Sequence, residues 1–530
     1  MQAWISPVSE ATEPLSGRQE VDKRVIPSWL GDALAVVLLL GAILAVHLIV
    51  PGPIPSGPDG GNWLAMARET LGDQVMAGDA TYPPGFPVLL AGLLALLGPI
   101  GAITTSALLS TAVLLIAVYV CGRPMGRSFA LICAVVVGAS GAQLEAYSWG
   151  AYPQTLASGL ALMSVYALIR HMQTHRLVFL VSGAVLAAAT LATHLLVGGL
   201  LLAAIAIAMA YGLWATGADR ARWWRQGLVA AAIAVPGFTY LYQSVVVASN
   251  NGYKAPINPL QHSLMFALSQ QIREAPALWI VLLLLGIYGF FANLRSSKEL
   301  PTRAVGVSWS LVGVAFFLAT GEARSLLLTQ AGVVLLAGLG FRHIWMALRH
   351  RSVGADSRKR SVSMPWKAMT VLGIALVFGL VVGGIGSYPG STGWFRVVDD
   401  EDLRALDRLA MFAGPDDLVV ASPGSQGHPL GWWVQGYAGI PTYSGIDLRW
   451  LAFPEEREQA RIANELFGGE LDVDEAAEML ASVGADFLVI DRRDPTGTWF
   501  ESGLSSAFPV IYDTGAIVVA RAEPLAQMRG

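Results

Sequence analysis

The chain has 530 residues, 54% of them hydrophobic and only 14% charged, with a formal net charge of −4. Soluble domains carry roughly 25% charged residues, so this composition excludes an ordinary soluble globular protein. The deficit is local: residues 30–386 read as apolar blocks separated by short polar connectors, whereas residues 387–530 are charged, mixed and punctuated by turns.

Residues 1–29 read as a polar cytoplasmic tail, with Arg18, Lys23 and Arg24 just ahead of the first apolar block. That block, Leu30 to Val50, is too long for a signal-peptide core and reads as a retained signal anchor. The pattern then predicts a polytopic α-helical membrane protein with eleven spans. They lie at 30–50, 102–120, 128–144, 153–170, 177–194, 196–215, 227–246, 276–293, 304–320, 325–341 and 367–386. The apolar segment 85–98 is short and is predicted to lie at the outer interface. Cys121 and Cys133 fall in or beside membrane helices, and residues 387–530 contain no cysteine, so disulfides do not hold that part together.

Charge orients this topology. With eleven spans the six inner segments hold 20 Lys and Arg residues, against 4 in the outer loops: Arg68, Lys254, Arg273 and Arg324. This is a positive-inside bias, which predicts a multi-pass cell-membrane protein with a cytoplasmic N-terminus and an extracytoplasmic C-terminal domain. Counting 85–98 as a full span would put Arg123, Arg127 and every later segment on the opposite side. The C-terminal region has 23 acidic and 10 basic residues, a balance of −13 that argues against nucleic acid or anionic lipid as a partner.

The outer segments hold the unusual residues. Loop 51–101 begins as Pro/Gly-rich irregular chain. Asp59 then precedes a short amphipathic helix, with Trp63, Leu64, Ala67 and Leu71 on one face and Arg68 and Glu69 on the other. Such a helix is predicted to lie on the membrane surface. Asp59 reads as its N-cap, as a catalytic carboxylate, or as both. Tyr82-Pro83-Pro84-Gly85 makes a rigid turn into 85–98. The second outer loop, 143–155, carries Glu145, Tyr147, Trp149 and Tyr152, which read either as interfacial aromatics beside a carboxylate or as sugar-stacking platforms. His194 ends the fifth span, Lys254 lies in loop 247–275, and Glu322 and Arg324 occupy the short loop between the ninth and tenth spans. Singly each has a structural explanation. Together they gather ionisable groups on one membrane face of a chain that otherwise avoids charge.

In residues 387–530, a helix at 401–414, a strand at 418–421, a helix at 474–482 and strands at 487–491 and 517–520 predict a small α/β domain. The Gly- and aromatic-rich stretch 424–445 reads as a loop packed on the membrane body, or as a wall of an acceptor site.

This order of parts resembles the GT-C superfamily of membrane glycosyltransferases, which includes protein O-mannosyltransferases, the lipid A aminoarabinose transferase, oligosaccharyltransferases and actinobacterial arabinosyltransferases. The resemblance covers most of the chain. It is carried by Pro58-Asp59-Gly60 soon after the first span, by the surface helix, and by Tyr82-Pro83-Pro84 with the Leu-rich helix that follows. Gly122-Arg123, Glu145 and the outer C-terminal domain complete it. Glu145 stands without the adjacent acidic pair seen in many members, and the WWDYG signature of oligosaccharyltransferases is absent, Gly431-Trp432-Trp433 matching it only in part.

The resemblance implies a GT-C-like membrane domain over residues 30–386, with 51–101 as the catalytic outer loop. It implies an inverting transfer of a hexosyl or pentosyl unit from a polyprenyl-phosphate sugar to a glycan, lipid or protein hydroxyl in the cell envelope. Asp59 and Glu145 are the expected catalytic residues. Tyr82, Trp149, Tyr152, His194, Lys254, Glu322 and Arg324 are the expected substrate-binding ones, with a divalent cation such as Mg or Mn as the conceivable cofactor. The chemistry needs a base for the acceptor proton, which suits a partly buried carboxylate. It also needs a cation for the leaving phosphate, which suits Arg324 or Lys254. A membrane-lipid groove and the absence of a G-x-x-x-x-G-K-[ST] nucleotide cradle fit a lipid-linked donor. The competing readings are a lipid or polysaccharide transporter or flippase, and a polysaccharide polymerase or ligase of another fold.

Overall fold

The computed structural model describes residues 28–49, 54–55, 57–73, 82–216, 220–250, 276–292, 294, 296–320, 324–354, 364–422, 430–445, 454–469, 471–493 and 507–523. The helical body comprises α1 (Ser28–Ile49), α2 (Pro58–Leu71), α3 (Gly85–Gly122), α4 (Arg127–Gly138), α5 (Gly141–Trp149), α6 (Tyr152–Thr174), α7 (Leu177–Thr193), α8 (Leu195–Thr216), α9 (Arg220–Asn250), α10 (Pro276–Phe291), α11 (Leu300–Thr320), α12 (Arg324–Gly354) and α13 (Met364–Phe395). Each predicted span falls mainly on helix among the described residues. Six of the described helices are long and apolar enough to cross a membrane, or seven with the bent α4–α5 pair, while Leu177–Thr193, Gln226–Thr239 and Ala277–Phe291 are shorter. The eleven-span expectation thus reduces to a multi-pass helical body.

Three local readings change. First, residues 85–98 and 102–120 form a single 38-residue helix broken at Gly98, whose φ of 70° leaves the helical region just ahead of Pro99. At 1.5 Å per residue such a helix would run roughly 57 Å, about twice a hydrocarbon core, so the kink divides it into two functional lengths. Its first half packs Phe86, Leu90 and Leu94 in one cluster with Trp63 and Leu64 of α2. Second, the predicted span 128–144 and loop 143–155 divide differently. Ser140 caps a new helix, its hydroxyl accepting from the Gln143 backbone N–H, and α4 and α5 meet at 48°. Glu145 and Trp149 therefore sit on a helix, and only Gly150 and Ala151 separate it from α6. Third, α2 packs its apolar residues against protein. Gly60, Gly61 and every residue from Trp63 to Ala67 are buried, and Leu71 is exposed.

The C-terminal region holds α14 (Asp400–Phe412), α15 (Leu430–Trp433, continued by a π-turn through Val434–Ala438), α16 (Pro454–Phe467), α17 (Val473–Val483) and strands β1 (Val419–Ala421), β2 (Phe487–Asp491), β3 (Val510–Asp513) and β4 (Ile517–Arg521). The sheet order is β1-β2-β4-β3. β1 runs parallel to β2, and the other two pairings are antiparallel. Alternation along the strands serves both faces. Val419, Phe487, Val489, Ile517 and Val519 join Leu403 and Leu406 of α14 in the cluster that also contains α2 and the start of α3. Val420, Leu488, Ile490, Val518 and Ala520 cover Leu466, Phe467 and Leu480 on the opposite side. The predicted α/β content is present, with α16 and β3 in addition. Part of 424–445 is helical, not a loop: α15 and its π-turn lie against α2. A Cβ on Gly61 would stand 2.6 Å from the Trp432 backbone, and one on Gly60 would stand 2.8 Å from the Trp433 ring.

Candidate functional site

The opening of α2 positions the principal carboxylate. Gly57, with extended φ and ψ, is the N-cap and Pro58 is the first helical residue, so Asp59 stands inside the first turn. This corrects the N-cap reading: no side-chain capping bond forms at this end. The position still suits a carboxylate, because the unbonded N–H groups of a helix N-terminus carry partial positive charge. Trp433 Nε1 donates to Gly57 O at 3.3 Å, tying this turn to α15.

The turn between α5 and α6 closes over Asp59. Gly150 has φ 101°, a left-handed conformation that ends α5 and is costly for other residues. A Cβ there would lie 2.9 Å from Asp59 Cβ, so only glycine allows this approach. Trp63 Nε1 donates to Gly150 O at 2.8 Å, locking the turn to α2. Burial pushes the Asp59 carboxyl up to about 6, and the Arg324 charge opposes that rise.

Arg324, the first residue of α12, is exposed, and its guanidinium lies over the Trp149 ring 4.8 Å from the centroid. Its backbone carbonyl accepts from Gln154 Nε2 of α6 at 3.0 Å. Gln154 also lines a cavity of about 20 Å³ with Gln143, Gln330 and Trp309, room for about one water-sized group. Tyr82 is held between Trp63 (ring centroids 4.8 Å apart) and His194 (6.0 Å, edge-on). Burial first, and then the Asp59 charge, raises the Tyr82 hydroxyl well above its usual range, so it stays protonated. His194 caps α7 in an extended conformation, and its Nδ1 accepts from the Val197 N–H at 3.3 Å.

Asp59, Tyr82, Trp149, Tyr152, His194 and Arg324 therefore form one neighbourhood of touching rings and mutually felt charges. Tyr152 is buried against Tyr147, 5.8 Å between centroids, as part of the wall. Glu145 is partly buried on α5, four residues before Trp149. Lys254 and Glu322 lie outside the described residues. Among the described residues no three His, Cys, Asp or Glu side chains gather to hold a metal ion. The sequence does not single out Trp63, Gly150 or Gln154 for the site, and it reaches Trp433 only as part of the 424–445 stretch. Gly150 carries a legible signal, a glycine directly after a short aromatic helix; the other three depend on contacts between residues far apart in the sequence.

No protein-family model matches the chain, and no curated protein sequence does either. Solved structures do. ArnT from Cupriavidus metallidurans in the apo state superposes with a TM-score of 0.56 at 15% identity, covering 93% of this chain and 98% of that one. The same protein bound to undecaprenyl phosphate gives 0.56 at 14%, covering 92% and 98%. The Archaeoglobus fulgidus oligosaccharyltransferase gives 0.53 at 13%, covering 93% and 75%. The arabinofuranosyltransferase AftD from Mycobacteria gives 0.56 at 15%, covering 92% of this chain and 40% of that one. At these identities the likeness is one of fold. It is the GT-C fold of membrane glycosyltransferases, the one that the sequence resemblance implied.

Proposed function

We propose that this protein is an inverting glycosyltransferase that moves a sugar from a polyprenyl-phosphate donor to an acceptor hydroxyl at the outer membrane face. The observation that carries the reading is a partly buried carboxylate, raised in pKa by that burial, near an arginine at one end of the shared fold. That one similar structure holds undecaprenyl phosphate supports the donor class. The 20-to-4 charge asymmetry supports placing Asp59, Arg324 and the C-terminal domain outside and the N-terminus in the cytoplasm.

Asp59 takes the acceptor hydroxyl proton as the acceptor oxygen attacks the anomeric carbon. The bond from that carbon to the phosphate oxygen breaks on the opposite side, and its electron pair leaves with the polyprenyl phosphate. Arg324 faces that developing charge with a fork of donors matched to phosphate oxygens. Lys254 would add a second cation and Glu322 a polar contact. Glu145 is proposed as a second acidic contact on the acceptor side. The described donor set does not build a three-ligand metal site, so no step here is routed through a cation.

The test is to incubate purified protein with a panel of polyprenyl-phosphate sugars and nucleotide sugars and follow donor consumption. Consumption of a polyprenyl-phosphate sugar is expected. Turnover of nucleotide sugars alone would overturn the donor assignment, and consumption of neither would favour a transporter.

A further inference from the structure

We propose that Trp149 is a positioning residue: the Ser148–Ala151 turn fixes the carboxylate of Asp59 and the guanidinium of Arg324 relative to each other, with Trp149 as the seat for the cation. This inference rests on the phosphate-binding role given to Arg324 above and deepens it. It replaces the sequence expectation that Trp149 stacks on a sugar ring.

Consecutive residues of one turn reach both groups. Gly150 meets Asp59 at van der Waals range, closely enough that any Cβ would collide with it. Trp149, its neighbour, has the Arg324 guanidinium 4.8 Å over its ring. Trp is the strongest of the aromatic partners for a guanidinium, and a flat cation on a flat ring is restrained in tilt as well as position.

The turn is itself braced from several sides. Trp63 Nε1 holds Gly150 O. The Tyr152 N–H donates to Gly150 O at 2.8 Å and the Ala151 N–H to Ala146 O at 2.9 Å. Gly57 approaches so closely that a Cβ on it would strike Ser148 O and the Trp149 backbone. Gln154, two residues beyond Tyr152, fixes the Arg324 backbone. Arg324 is the first residue of α12 and carries a long side chain. The ring beneath it restrains that side chain in the neighbourhood of Asp59.

Electrostatics agrees with the geometry. Of the described titratable groups that face Asp59, Arg324 comes from α12, Tyr82 from the turn before α3, and Tyr152 from α6. Both tyrosines are held neutral by burial, which leaves Arg324 as the charge that opposes the burial-driven rise of the Asp59 carboxyl. Freeing Arg324 from its seat weakens that opposition.

Undecaprenyl phosphate is the discriminating probe, because it carries the phosphate and no sugar. Its binding would be titrated by native mass spectrometry or thermal shift in the wild type, Arg324→Ala, Trp149→Ala and Trp149→Phe. Positioning predicts that Arg324→Ala abolishes binding, that Trp149→Ala weakens it about tenfold, and that Trp149→Phe retains most of it. A sugar-stacking Trp149 predicts instead that Trp149→Ala binds this sugarless lipid like the wild type, and that result would overturn the inference. A Trp149→Phe protein as impaired as Trp149→Ala would overturn it too, by showing that an aromatic seat is not what the site needs. If Trp149→Ala does not fold, Trp149→Phe against Trp149→Leu gives the same contrast. If the wild type itself fails to bind the lipid, the donor reading has failed, an outcome distinguishable from failure of the positioning role. Where a donor sugar has been found, the acid limb of the kcat/KM profile adds a second readout. Trp149→Ala should move it upward by roughly half a pH unit, and Trp149→Phe should not.

Discussion

At the end of the body where α1 begins, Asp32 accepts from Arg123 at 3.0 Å, from Arg127 at 2.7 Å and from the Tyr119 hydroxyl at 2.7 Å. Just before α11, buried Glu299 is gripped by Arg342 and, at 2.9 Å, His343 of α12 and by Arg303 of α11 at 3.6 Å. At the opposite end, where α2, α6 and α12 begin, Asp59 lies under a glycine turn and Arg324 lies on an indole. Both ends carry acids and arginines close together. The first end joins them directly, satisfying each carboxylate with several donors, as expected where charge only fastens helices to one another. The second end holds them near each other on packed aromatic and glycine surfaces, which leaves the carboxylate raised in pKa and the guanidinium exposed. Carboxylates gripped by several donors fasten helices; a carboxylate raised in pKa beside an exposed guanidinium is placed for chemistry.

Substitutions at the two ends should separate these roles. The largest effect is expected from Asp59→Asn, which removes the proposed base and should lower the transfer rate by about 10² to 10⁴ while the protein still inserts and folds. Full activity in that variant would sink the base assignment. Glu299→Gln strikes the other end: it strips the charge facing Arg303, Arg342 and His343 and should cost about 3 to 5 kcal/mol of stability, read as detergent-solution thermal melting, with KM for the donor unchanged. Gly61→Val drives a side chain into the Trp432 backbone and should cost about 1 to 3 kcal/mol, and it should loosen the C-terminal region from α2, visible as faster proteolysis between the two. The mildest test is pH. The Asp59 carboxyl is raised to about 6 and must be ionised to accept a proton, so activity should be high above that pH. It should fall about tenfold for each unit below it. A flat profile from pH 7 to 5 would remove Asp59 from the role.

Much of the helical body could be read before folding, because apolar length and charge flanks report directly on crossing a hydrocarbon layer. Asp59, Tyr82, His194 and Arg324 were legible for the same reason: charged and polar groups clustered in the connectors at one face. Other features were not. The α4–α5 break turns on one serine cap inside an apolar run, which hydropathy averages away. α2 read as amphipathic because its sequence has one apolar face. Its glycines hide a second buried face, since a glycine contributes no side chain to the pattern but lets another backbone approach. β3 has mixed exposure and no clear alternation, so its pairing with β4 supplied what its own sequence lacked.

By itself, then, the sequence determined that this is a multi-pass helical protein and which connectors gather its ionisable groups. These follow from the cost of placing charge in hydrocarbon, a property of each segment alone. Only the tertiary structure decided that Gly150 covers Asp59, that Trp149 seats Arg324 and that α15 of the C-terminal region packs on α2. Those contacts join residues from 91 to more than 370 positions apart. They depend on shape fit between helices, which no local pattern encodes.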